Sequence, residues 1–423
     1  MGSLGFQVSV ILLAICGAHV NVITRTLMKV YTTYFDLPLY SLVPYISERL
    51  MLETDFVNEA DNSVKMAELV AGEPRLRGRV YIPEVYRDLS SKRIMTTEWI
   101  EGVRLVDRET LGAPWRGGSK GSPGVNGTPL SPPKFIPEND GRGLLKPERN
   151  EWRGPNGKGG LGLSLKEVMT TMIDLFSAQM FLWGLVHCDP HPGNIFIRRK
   201  PNGSVELVLI DHGLYVRMAP KIRLEYCRFW KSLMTFDNST LSEITTAWGI
   251  KAPDLFASAT LMRPYEGGDN STRKRVTDEL KGKTAAERHY EVQERMRQGI
   301  REILSEEENF PRELLFIARN MRIVQGNNQF LGSPVNRVKM TGNWASRSLV
   351  DAKDLSISER FANGLRHMLF KFVMFSSDVV FYTSMLRQWF GYGDGMEDDL
   401  EKQMQYIAKD QFGVDLQHSV FEG

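Results

Sequence analysis

The chain reads as an α+β protein, a small strand-bearing first part joined to a mostly helical second part. Three observations carry that reading. An apolar helical pattern beginning at Ser164 (Val168, Met172, Leu175, Phe176, Gln179, Met180) feeds directly into His187-Cys188-Asp189-Pro190-His191-Pro192-Gly193-Asn194. Two strand-like runs, Ile195–Arg199 and Val205–Ile210, flank a Pro201-Asn202-Gly203 turn and end at Asp211-His212-Gly213. Beyond Gly213 the patterns are helical, at 221–236, 241–248, 254–259 and 285–304, then from a Pro311 start to Val324.

The hairpin indicates the chemistry. An Asp followed five residues later by an Asn, with an Asp-x-Gly after a later apolar strand, is the spacing of a phosphoryl-transfer catalytic loop and its metal ligand. Antiparallel strands set Asn194, before the first strand, beside Asp211, after the second. Two oxygen ligands at one end of a hairpin suit Mg²⁺ and nucleotide phosphates. Asp189, Asn194 and Asp211 are therefore the candidate catalytic residues, and Asn194 and Asp211 the candidate metal ligands. The plainer use of Asp189 is to cap a turn before Pro190. His187 is expected to brace the loop by hydrogen bonding. His191 and His212 could join the two acids as zinc or iron ligands, a weaker reading because no supporting outer groups are in view.

The bounds from composition are loose. At 423 residues and 42% hydrophobic, the chain can hold one two-lobed domain or two domains. A net charge of +2 gives no global reason to expect nucleic acid. Cys16, Cys188 and Cys227 form no Cys-x-x-Cys pair, so neither a disulfide framework nor a zinc site is indicated, and a reducing compartment follows. Asn238-Ser239-Thr240 and Asn270-Ser271-Thr272 match glycosylation acceptors, with nothing else to argue for secretion.

Along the chain, residues 1–19 are an apolar segment of open status. Residues 4–23 are expected to form a buried helix running on into Val22–Phe35, with a short membrane span or a signal h-region as the alternatives. From Ser41 to about Val70 the pattern is helical, with Leu50, Phe56, Ala60, Val64 and Ala67 on one face. Strand-like runs at 80–82 and 93–97 flank Asp88-Leu89-Ser90-Ser91, and Glu98-Trp99-Ile100-Glu101-Gly102 closes the second. Residues 112–162, dense in Gly, Pro, Ser and Asn, read as a disordered insertion between lobes. The apolar run 365–390 is broken by Lys371 and Asp378. A core helix is expected there, with a membrane-surface helix as the alternative.

These motifs resemble the UbiB/ADCK atypical protein-kinase-like family, in its mitochondrial branch with Asp-His-Gly in place of Asp-Phe-Gly. The carrying strings are Glu53-x-Asp55-Phe56-x-x-Glu59-Ala60-x-Asn62, Thr97-Glu98-Trp99-Ile100-Glu101-Gly102, His187 to Asn194, and Ile210-Asp211-His212-Gly213-Leu214-Tyr215. The resemblance implies a protein-kinase-like fold with an incomplete N-lobe (20–111), a mostly helical C-lobe (163–350) and a helical extension (351–423). It implies ATP or ADP with Mg²⁺, and a role in mitochondrial lipid or isoprenoid-quinone homeostasis, although no presequence is seen. By that similarity Glu59 is the N-lobe helix Glu that pairs with a strand Lys. Glu98 and Ile100 lie at the adenine hinge. Glu53 and Asp55 match the family's extra Glu-x-Asp element, which engages a Lys-containing motif upstream.

The resemblance departs before Glu53. The family's Lys-x-Gly-Gln motif, Ala-rich nucleotide loop and Val-Ala-Val-Lys strand do not precede it, and Lys29 is the only lysine before Glu59. The expectation is an N-terminally truncated chain that binds nucleotide poorly as written. Its runner-up function is a catalytically impaired pseudokinase scaffold at a membrane or lipid surface. A small-molecule phosphotransferase of the aminoglycoside- or choline-kinase type would share the catalytic loop but not Glu53-x-Asp55. The oligomeric state is left open.

Overall fold

The computed structural model describes residues 4–8, 25–26, 29, 43–52, 55–126, 128–130, 133–137, 143–147, 158–262, 265, 310–352 and 357–390. The chain forms two compact units. The first comprises 1–15, 49–176 and 187–215, and the second 16–48, 177–186 and 216–423.

In the first unit the expected hairpin forms the middle of a four-stranded sheet. Ile195–Arg199 pairs antiparallel with Val205–Leu209, Ile195 opposite Leu209 and Arg199 opposite Val205. Val80–Tyr81 adds parallel to Leu207–Val208 on one side, and Val103–Arg104 antiparallel to Phe196–Ile197 on the other. All five residues of Val205–Leu209 are buried, as an inner strand covered on both faces requires. Its turn depends on Gly203 at φ +85°, a backbone that side chains rarely adopt, where a Cβ would also meet the Arg199 guanidinium at 3.0 Å. Gly203→Ala is therefore expected to cost about 1 kcal/mol, read as a lower urea midpoint at unchanged slope.

Across the hairpin, Arg198 and Glu206 form a buried ion pair at 2.7 and 2.8 Å. The guanidinium sits 4.7 Å from the Tyr81 ring, whose hydroxyl donates to Glu98. Behind the sheet strands, Leu165–Ser177 buries Val168, Met172 and Phe176 and accepts Arg79 on Asp174 and Thr171 at 2.8 and 2.9 Å. That helix continues as a wider turn to Trp183 and stops at Gly184, φ +63°, just before the candidate loop.

Several expectations need correction. Residues 4–8 are a strand, antiparallel to Ile94–Glu98, rather than the start of a helix. A short apolar run has no period that separates the two states, and the partner strand lies far along the sequence. The helix expected over 41–70 is two helices, Val43–Leu52 and Phe56–Gly72, because Asp55 caps the second by accepting from the Val57 amide at 3.0 Å.

The insertion is narrower than 112–162. Ser122 exchanges two hydrogen bonds with Arg199, at 2.7 and 2.8 Å, and Leu161 and Leu163 bond back to Thr110 and Leu111. Val125, Leu161 and Leu163 are buried, and 133–137 pairs with 143–147 as a hairpin. A polar segment orders without a core of its own when an existing strand edge satisfies its backbone. Residues 127, 131–132, 138–142 and 148–157 lie outside the described residues.

The second unit is helical: Pro220–Thr235, Asn238–Ala247, Pro253–Leu261, Glu313–Phe330, Arg337–Asp351 and Ile357–Trp389. The expected helix at 285–304 lies outside the described residues. Phe181, Tyr226, Phe229, Trp230, Trp248 and Phe256 make an aromatic core with ring centres 5.4–6.5 Å apart. Ile357–Trp389 is not the core helix expected at 365–390, since most of its described large apolar side chains face solvent. Among the described residues, no helix is long and apolar enough to cross a membrane.

Candidate functional site

The loop from His187 to Asn194 folds on its own backbone. The His191 amide donates to Asp189 O at 2.7 Å, and Asn194 N donates to His191 O at 2.9 Å. The Gly193 amide donates to His191 Nδ1 at 3.1 Å, closing a single turn at Pro192–Asn194. That turn delivers Asn194 to the mouth of the hairpin, where the Ile210 amide donates to its carbonyl at 3.1 Å. Asn194 Nδ2 then lies 3.4 Å from Asp211 Oδ2 and 3.4 Å from Asp189 O. Asp211 Oδ1 accepts from the Gly213 amide at 3.1 Å, so the acid is held by its own turn with its other oxygen toward Asn194.

His187 ties the two acids together. Its Nδ1 accepts from the Asp189 amide at 3.0 Å and its Nε2 donates to Asp211 O at 2.6 Å, which requires the neutral Nε2-protonated ring. Burial holds its pKa below the usual histidine value, against the pull of the Asp211 carbonyl and the acid charges. His187 thus braces the loop rather than transferring protons. His212 is also buried and neutral: Nε2 donates to Leu209 O at 3.2 Å and Nδ1 accepts from Tyr215 Oη at 2.9 Å. Burial, aided by His187, lowers its pKa to about 3. With both ring nitrogens engaged, His212 is not placed as a metal ligand, and the described residues contain no group of three or more His, Cys, Asp or Glu that could hold a metal.

The helix Phe56–Gly72 supplies the third side. Glu59, 2% exposed, accepts from the His212 amide at 3.3 Å. Asn62 donates to His212 O at 3.0 Å and Asn58 to Gly213 O at 3.3 Å. Burial first, then the charge of Asp211, raises the Glu59 pKa to about 7, against the stabilising His212 amide. The repulsion between the Glu59 and Asp211 charges, second to burial in that shift, is one that a cation beside Asp211 would relieve. Asn194 turns its amide nitrogen toward Asp211, and rotation of that end group would offer its oxygen to a cation. Oxygen donors and few protein ligands match Mg²⁺, which keeps waters and phosphate oxygens in its shell.

The structure therefore places Asn194 beside Asp211, with Asp189 joined to them through its backbone and Glu59 through the His212 amide. Asp55 caps its helix and has Lys92 at 3.7 Å. Glu98 accepts from Tyr81 and, at 3.4 Å, from the Glu84 amide, apart from the cluster of acids. Ile100 is half-buried on the way to Gly102, which packs against the backbone of Ile197 and the side chains of Phe196 and Arg198. Glu53 lies outside the described residues. Asn58, Asn62 and Tyr215 were not assigned roles from sequence. The available signal was helical spacing: Asn58, Glu59 and Asn62 fall on one face. The apolar face expected instead included Val64, which is exposed.

A strand pair carrying an Asp–Asn loop at one end and an Asp-x-Gly at the other, with a helix Glu against it, defines a kinase-like fold and site. The comparisons agree. Residues 18–245 match the ABC1 atypical kinase-like domain. An ABC1 family protein of Purpureocillium lilacinum is 41% identical over 89% of this chain and 57% of its own length. One of Schizosaccharomyces pombe is 30% identical over 77% and 51%. The AarF domain-containing protein kinase 1 of Xenopus laevis is 26% identical over 69% and 45%. The chain belongs to the ABC1 (UbiB/ADCK) atypical kinase-like family, and it spans about half the length of the curated relatives it matches.

Proposed function

We propose that the chain binds ATP or ADP with Mg²⁺ at Asp211 and Asn194 and works as an ATPase or phosphotransferase. The observation that carries this is the approach of Asn194 to Asp211, with Asp189 tied to the same histidine. Bound Mg²⁺ would draw charge from the transferred phosphate. The chain's part is to hold that site: Asp211 fixed by the Gly213 amide, Asn194 by its turn, and the Asp189 backbone by His187. Glu59 keeps the His212–Gly213 backbone in register and offers a carboxylate to a basic phosphate-binding group. The family resemblance further suggests mitochondrial lipid or isoprenoid-quinone homeostasis as the setting.

Titration with Mg-ATP, followed by calorimetry, is expected to saturate, at low affinity because Lys29 is the only lysine before Glu59. Asp211→Asn should weaken binding about tenfold or more, because it removes the charge beside the cation. Equal affinity for the two proteins would remove the metal role from Asp211. Binding without turnover would favour the scaffold reading over the enzyme. The setting is tested by quinone and cardiolipin content in mitochondria lacking the protein, and unchanged content of both would refute it.

A further inference from the structure

The helix Ile357–Trp389 has two faces. One is anchored in its own unit: Asn363 donates to Leu349 O at 3.5 Å, His367 meets Ser346 at 3.0 Å, and Phe370 is buried. On the other face, from Phe361 to Trp389, apolar residues recur at spacings that alternate four and three without a break. The described large side chains of that stripe are 54–79% exposed. A spacing of 3.5 residues is the seam by which one helix packs along another, narrower than the band that faces a globular core.

We infer that this seam binds the same helix of a second copy of the chain, antiparallel, as a two-stranded coiled coil. The charges select the partner. Lys371 and Asp378 occupy the same flanking position of successive heptads. With Phe372 of one copy opposite Phe375 of the other, the next layers are Met368 against Val379 and Leu365 against Tyr382. In that register Lys371 of each copy lies opposite Asp378 of the other, twice by symmetry. The antiparallel register thus turns one lysine and one acid into two complementary pairs. Size agrees as well. Five aromatic residues lie on the seam, and at roughly 150–250 Å² each they reach the roughly 800 Å² per partner of a stable interface.

The test is the mass of the full 423-residue chain by light scattering and sedimentation, a dimer being twice 48.1 kDa. Phe372→Glu with Phe375→Glu should give a monomer with unchanged circular dichroism and melting, since both side chains are exposed in the single chain. Lys371→Asp alone should weaken the dimer about tenfold by setting like charges opposite, and adding Asp378→Lys should restore it. A chain that stays monomeric would overturn the inference, as would a dimer indifferent to the Phe substitutions or a charge swap without rescue. Vesicles of phosphatidylcholine and cardiolipin serve as the competing probe. Flotation of a monomer that is lost with Phe372→Glu would assign the stripe to lipid instead.

Discussion

His187→Ala is expected to destabilise the first unit by about 4 kcal/mol, the largest single-residue effect at the site. The ring is buried, with Tyr215 at 5.0 Å, His212 at 6.3 Å and Phe176 at 6.4 Å between centres, so its removal leaves a cavity. Truncating a large buried side chain costs roughly 2–5 kcal/mol. It also strips a donor from Asp211 O and an acceptor from the Asp189 amide, each roughly 1–3 kcal/mol if left unmet. Water entering the cavity would repair part of this, which keeps the estimate below the total. His187→Phe separates the two contributions, because it fills the space and restores neither hydrogen bond. Urea unfolding should rank wild type above Phe and Phe above Ala, with hydrogen exchange at the Asp189 amide accelerating in both variants. A loss under about 1 kcal/mol for Ala would mean that the histidine is not the tie between the two acids.

How much of this was legible follows from what each residue's signal depends on. Asp189, Asn194 and Asp211 could be read because a short antiparallel hairpin converts sequence spacing into proximity with little freedom. Fold class was legible for the same reason, since the helical periods after Ser164 are long. The Glu59 side of the site was legible only through resemblance. Its neighbours Asn58 and Asn62 make contacts about 150 positions away, and a search for an apolar face passes over a buried polar one. Residues 4–8 failed for a related reason: a strand is defined by its partner, and the partner is at 94–98. Ser122 orders by bonding to the end of a strand at Arg199 and Leu161 by bonding to Thr110 in a short helix, partners that composition does not reveal. The exposure of the Ile357–Trp389 stripe was equally hidden, since a heptad seam reads the same whether or not something covers it.

Glu59 gives the site a pH signature of known sign. Its pKa stands at about 7 in the folded chain against 4.5 in the reference state, so the folded chain binds the extra proton between those values. A raised folded pKa contributes stability that is complete below about pH 4.5 and gone once pH passes about 7. With no divalent cation present, Glu59→Gln keeps the acceptor for the His212 amide and removes the charge. It should therefore be more stable than wild type by about 3 kcal/mol above pH 7, with the difference vanishing near pH 4.5. Only the difference between the two proteins is diagnostic. His212, lowered to about 3, and His187, also lowered, act in the opposite sense and make both proteins lose stability as pH falls below about 6.5. Those histidine contributions cancel in the subtraction, leaving a curve that rises through the window set by Glu59 alone. Adding Mg²⁺ with ATP should shrink it, because a cation beside Asp211 offsets the second cause of the shift while burial, the first, remains. A difference curve flat from pH 4.5 to 8 would mean that the Glu59 carboxylate is solvated, and that the helix does not close over Asp211 as described.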